Sequence, residues 1–152
     1  MDEIMTMVIG IGNDFGSDDA AGLIAVQHLR GVVGNHVRIL EQSGDGTQLI
    51  ESWKNREKVV LIDAALSDKA PGTIHRFEVD TFPLPGKFLC YSTHQLGVSE
   101  AIELARALKQ LPRSLIVFAI EGKYFGPGKG LSPEVAQSIP VLVDQVKREV
   151  EK

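Results

Sequence analysis

Three side chains have the types and surroundings to carry chemistry: Asp19, Asp63 and His94. Asp63 follows Val59-Val60-Leu61-Ile62 without a break, so a carboxylate stands where an apolar strand should leave its sheet, and the small Ala64 and Ala65 leave room beside it. Asp18 and Asp19 open a helical pattern. Adjacent acids project in different directions, so Asp18 (or Ser17) is expected to cap the helix while Asp19 faces a cleft. His94 stands between the polar Tyr91-Ser92-Thr93 and a helix start at Gly97-Val98. His28, on a helix face, and His36 and His75, in or beside strands, read as structural. Two carboxylates and one imidazole form an ordinary ligand set for zinc, nickel or another divalent ion. They serve general acid–base hydrolysis equally well.

The elements that would position these groups follow from hydrophobic period. Met5–Ile11, His36–Glu41, Lys58–Ala65 and Ser114–Ile120 read as strands, and Gly72–Val79 alternates like an antiparallel edge strand. Asp18–Val33, Thr47–Trp53 and Val98–Leu111 read as helices, the second capped by Asp45 or Thr47 and the third ended by Pro112. Ser132-Pro133 opens a C-terminal helix in which Pro140 should cause a kink or restart. Alternating strands and helices predict an α/β three-layer sandwich. The expected sheet is five-stranded, twisted and mostly parallel, with one antiparallel edge strand and helices on both faces. In such a sheet the loops leaving strand carboxyl ends converge on one rim, where ligands bind. Gly12–Asp19, Ser43–Gly46, Asp63–Ser67 and Glu121–Gly130 are those loops, and Ser92–Gln95 reaches the same rim.

Composition removes several classes. The 152 residues, 43% hydrophobic and 24% charged, suit one globular core, so residues 1–152 are read as one domain. A net charge of −4 without a basic stripe argues against nucleic acid. Cys90 is the only cysteine, which excludes a disulfide framework and suits a reducing compartment. It follows Phe88-Leu89 and makes a poor nucleophile. The acidic Asp2 and Glu3 do not fit a signal peptide, and no apolar run is long enough for a membrane span. The expected location is the cytoplasm. Gly10-x-Gly12-x-x-x-Gly16 departs from a dinucleotide fingerprint, and Asp14, Asp18 and Asp19 would repel a pyrophosphate.

The segment Gly10-Ile11-Gly12-Asn13-Asp14-Phe15-Gly16-Ser17-Asp18-Asp19-Ala20-Ala21-Gly22 resembles the N-terminal motif of the hydrogenase maturation endopeptidases. That motif is a strand, G-x-G-N, a few variable residues, and an acidic pair before a helix glycine. Leu61-Ile62-Asp63-Ala64, Ser92-Thr93-His94-Gln95-Leu96-Gly97 and the stretch from Ile120-Glu121-Gly122 to Ser132-Pro133-Glu134-Val135 are similar to the family's later motifs, in order. The resemblance implies an endopeptidase that removes a C-terminal extension from a nickel–iron hydrogenase large-subunit precursor once nickel is inserted. The substrate's nickel is then the recognition feature, contacted by Asp19, Asp63 and His94. No organic cofactor is implied, and the expected state is a monomer. Many members have Glu at the position of Asp19, and Pro often follows the position of Glu121 where this chain has Gly122, which leaves Glu121 without an assigned role. A non-catalytic divalent-metal-binding maturation protein, or a peptidase with another precursor, would use the same three residues.

Overall fold

Five apolar runs pair into one sheet, as their period requires. The computed structural model describes residues 6–85, 88 and 95–152. The strands are β1 (Thr6–Ile11), β2 (Val37–Gln42), β3 (Lys58–Ala65), β4 (Ile74–Glu78) and β5 (Ser114–Glu121). Their order is β2-β1-β3-β5-β4, with β1, β2, β3 and β5 parallel and β4 antiparallel to β5 at the edge. β3 and β5 are almost wholly buried, which explains their unbroken apolar sequences. β4 pairs on one side only and is partly exposed, hence its alternation.

Helices α1 (Ala21–Leu29) and α4 (Pro133–Val150) cover one face of the sheet. Val8, Val60, Ile62, Ile116, Phe118 and Ile120 meet Ala25, Val26, Leu29, Leu142 and Val146 there. Helices α2 (Gly46–Trp53) and α3 (Val98–Ala107) cover the other face. On that side Met7, Ile9, Leu61, Leu115 and Val117 pack on Leu49, Trp53, Ile102 and Ala105. This is the expected sandwich. The boundaries differ locally. α1 is preceded by a 3-10 turn over Ser17–Ala20 and stops at Leu29, and α3 ends at Ala107 because Lys109 takes a left-handed φ of 58°. α4 runs through Pro140 without the expected restart. Its stripe of Val135, Ile139, Leu142, Val146 and Val150 is buried along the whole length, and that burial outweighs one lost backbone hydrogen bond.

Two features hold the framework under the site. Buried Glu149 accepts from Arg76 Nε at 2.8 Å and pairs with Lys58 Nζ at 3.4 Å, tying α4 to β4 and β3. Gly22 lets α1 begin directly over the ends of β1 and β3. A Cβ there would stand 2.3 Å from the Ile62 carbonyl oxygen and 2.4 Å from that of Ile11. Any side chain would push the helix off the strands that carry the acids.

Candidate functional site

Four parallel strands send their following loops to one rim, and the chain reverses its direction of strand addition between β1 and β3. Side chains at that switch point face the crevice where α/β sheets bind ligands. Asp19 follows β1 and Asp63 belongs to β3, so the fold brings these two together. His94 lies outside the described residues, as does Cys90. Among the described residues no group of three or more His, Cys, Asp or Glu side chains could hold a metal ion.

Asp63 is set deeper than its sequence suggests. β3 continues through Ala64 and Ala65, which pair with Ile120 and Glu121, so the carboxylate is inside the strand and only 5% exposed. Its one hydrogen bond among the described residues comes from the Ala64 N–H to Oδ1 at 2.8 Å. Burial pushes its pKa well above the usual carboxylate range. The Ala64 N–H pulls it back in part, and the neighbouring Asp19 charge raises it again. Asp19 is half-buried, and burial raises its pKa to about 6. Its position is fixed through the backbone: its N–H donates to the Gly16 carbonyl at 3.0 Å and its own carbonyl accepts the Asn13 N–H at 3.3 Å. Gly12 and Gly16 allow this fold-back, since a Cβ on Gly12 would lie 2.1 Å from the Asp19 carbonyl oxygen.

Asp18 does not cap the helix. No side-chain cap is made at either the 3-10 turn or α1. Its fully buried carboxylate instead accepts from the N–H groups of Lys123 (2.8 Å), Tyr124 (2.9 Å) and Ser132 (2.7 Å) and from the Ser132 hydroxyl (2.8 Å). These donors are 105, 106 and 114 residues away, which no local reading could find. Burial alone would raise the Asp18 pKa, but the four bonds hold it below the usual value. Ser132 precedes Pro133 as expected, yet its hydroxyl serves Asp18, not the helix. Ser17 takes a left-handed φ of 56°, compensated by its N–H to the Gly128 carbonyl (3.1 Å) and its hydroxyl to the Gly126 carbonyl (2.8 Å).

Glu121 acquires a role of the same kind. Its buried carboxylate accepts from the Ser67 N–H and hydroxyl, each at 2.6 Å, and pairs with His75 Nε2 at 3.1 Å. Burial would raise its pKa, and the Ser67 and His75 contacts lower it. An ionised carboxylate only accepts, so His75 holds its proton on Nε2. Glu121 thereby pins the loop after β3 to β4. The position is a strand-terminal acid, the same signal that singled out Asp63. Its neighbour Gly122 makes room for the Phe125 ring, whose Cζ would stand 2.3 Å from an added Cβ.

The acids of this rim thus fall into two kinds. Asp18 and Glu121 are saturated with donors and kept ionised. Asp63 has one backbone donor, and Asp19 has none to its carboxylate among the described residues, and both are kept prone to protonation. A raised folded-state pKa stabilises the fold at low pH and loses that contribution as pH rises through it. Lowered values, at Asp18, Glu121 and Glu149, contribute above the unfolded pKa and fail on acidification. Thermal melting should therefore show stability rising as pH falls through the Asp19 pKa of about 6 towards about 4.5, then falling steeply below about 4.

A mixed, mostly parallel α/β sheet with a paired-acid crevice at its switch point defines a three-layer protein with an acidic site. A sequence model of the hydrogenase maturation protease family matches residues 25–149. The chain is 30% identical to the hydrogenase 2 maturation protease of Escherichia coli, over 92% of this chain and 87% of that one. It superposes on the Escherichia coli hydrogenase maturating endopeptidase HybD with a TM-score of 0.81 at 25% identity, covering 96% of this chain and 91% of that one. It superposes on HybD from Thermococcus kodakarensis with a TM-score of 0.75 at 28% identity, covering 94% and 97% respectively. The chain belongs to the hydrogenase maturation protease family and is an endopeptidase of that type. Among the described residues no helix is long and apolar enough to cross a membrane.

Proposed function

We propose that this protein removes the C-terminal extension of a nickel–iron hydrogenase large-subunit precursor after nickel insertion, with Asp19, Asp63 and His94 meeting the nickel carried by the substrate. One observation carries the reading. Two neighbouring carboxyl groups at the switch point, Asp63 buried and Asp19 half-buried, have a single backbone donor between them among the described residues, while Asp18 and Glu121 beside them are saturated. Burying acids without partners is costly, and a cation brought by the substrate relieves that cost. Carboxylate and imidazole donors suit a nickel ion. An empty precursor brings no such charge, so loaded and empty substrate differ in binding free energy, which is the basis of discrimination.

In the cleavage step a carboxylate of the pair, ionised once the cation is present, takes a proton from the water that attacks the peptide carbonyl carbon and returns it to the leaving amine nitrogen as the C–N bond breaks. The substrate's cation and the His94 imidazole oppose the negative charge that develops on the peptide oxygen. The protein acts in the cytoplasm as a monomer, with the precursor as its macromolecular partner and no organic cofactor; its solitary cysteine supports the compartment. Incubating purified protein with nickel-loaded precursor and weighing the product tests the proposal. Wild type should shorten the subunit by the mass of its extension, and His94→Ala should leave it uncut. A full-length product from wild type would point instead to a metal-binding maturation factor.

A further inference from the structure

The rim around the acid pair is not uniformly polar. Each of the three central parallel strands is followed within four residues by a large, solvent-exposed apolar side chain: Phe15 after β1 (66% exposed), Leu66 after β3 (57%) and Tyr124 after β5 (56%). Singly, exposed apolar residues are ordinary. These three differ because their loops are cross-tied. The Gly128 N–H donates to the Phe15 carbonyl at 2.9 Å, the Asp18 N–H to the Tyr124 carbonyl at 3.0 Å, and the Gly122 N–H to the Ala65 carbonyl at 3.0 Å. Gly16 and Gly128 form a short parallel bridge between the first and last of these loops. Lys129 Nζ lies 5.8 Å from the centre of the Phe15 ring, and fixes its outer face further.

We infer that Phe15, Leu66 and Tyr124 are specificity-determining residues that grip apolar side chains of the precursor segment flanking the cleaved bond. The inference rests on the proposed function, since a polypeptide must reach Asp19 and Asp63 and these three side chains stand on the loops that carry those acids or are tied to them. Charge separates the two parts of the contact. The three side chains offer apolar area to a peptide, while the acidic centre favours a cation. Rigid aromatic anchors on a fixed framework lose little entropy on binding and tend to dominate affinity. Recognition would therefore be divided, with metal loading checked by the acids and sequence checked by the rim.

The test is initial processing rate against precursor concentration for wild type, Phe15→Ser, Tyr124→Ser and the double variant, with Val32→Ser, an exposed residue away from these loops, as control. Melting temperatures establish that each variant is folded. The double variant should raise KM at least tenfold with kcat within twofold of wild type, and Val32→Ser should change neither. An unchanged KM in the double variant overturns the inference. So does a fall in kcat at constant KM, which would make these residues supports for the acids instead of contacts to substrate. Asp63→Asn, assayed alongside, separates the two levels: if it processes normally, the proposed function fails; if it is inactive while the rim variants match wild type, only the inference fails.

Discussion

Asp63→Asn is expected to fold, to melt a few degrees above wild type, and to process precursor at least about a hundredfold more slowly. Both effects have one cause. The carboxylate is buried beside Asp19 with a single backbone donor among the described residues, so its ionised form is held at a cost in the folded protein. Asparagine keeps the shape and can still accept the Ala64 N–H through its carbonyl oxygen, while removing the charge. The expected gain is about 0.5–2 kcal/mol, the size usual for a single stabilising substitution. The same substitution should flatten the rise in stability that accompanies acidification from neutral pH. Loss of activity follows because an amide neither takes a proton from water nor opposes a cation. Melting curves and product mass, measured on one preparation, check both halves. An asparagine variant less stable than wild type would show that the buried charge is already well compensated.

Asp18→Ala should do the opposite and damage stability first. The side chain is the shared acceptor for Lys123, Tyr124 and Ser132, and its removal strands three partly buried N–H groups and a hydroxyl. Unpaired donors cost about 1–3 kcal/mol each, and because they share one acceptor the costs do not simply add. A loss of about 3–4 kcal/mol is expected, or a melting temperature lower by roughly 10 °C. Processing should fall even below that temperature, because the turn carrying Asp19 loses its tie to the loop after β5. Asp18→Asn should resemble the alanine variant, since its amide N–H₂ would face donors. Wild-type stability in either variant would mean that the loops are held by their backbone bonds alone.

Much of this was legible in the residues. Apolar, β-branched runs inside Lys58–Ala65 and Ser114–Ile120 read as central strands, and strand–helix alternation then predicts a rim where Asp19 and Asp63 meet. What was hidden is contact between distant segments. A pair of adjacent acids before a helix looks like cap and ligand, yet Asp18 spends its charge on the loop after β5. Glu121 gave no sign that Ser67 and His75 would converge on it, because those partners come from a loop and an edge strand. The helix does not restart at Pro140 for a related reason: the proline's local cost is plain in the sequence, while the buried stripe that outweighs it is a tertiary fact. The strand bounds Lys58–Ala65 were readable and Asp63 was recognisable as an exceptional acid, but its burial was not, since a carboxylate near a strand end reads as accessible and only packing in the folded chain covers it.

The most direct test of the central claim compares nickel-loaded with nickel-free precursor at equal concentration, following release of the C-terminal extension by mass. An acid pair that depends on the substrate's cation predicts rapid cleavage of the loaded form and at least about a hundredfold slower cleavage of the empty one. Equal rates on the two would contradict it.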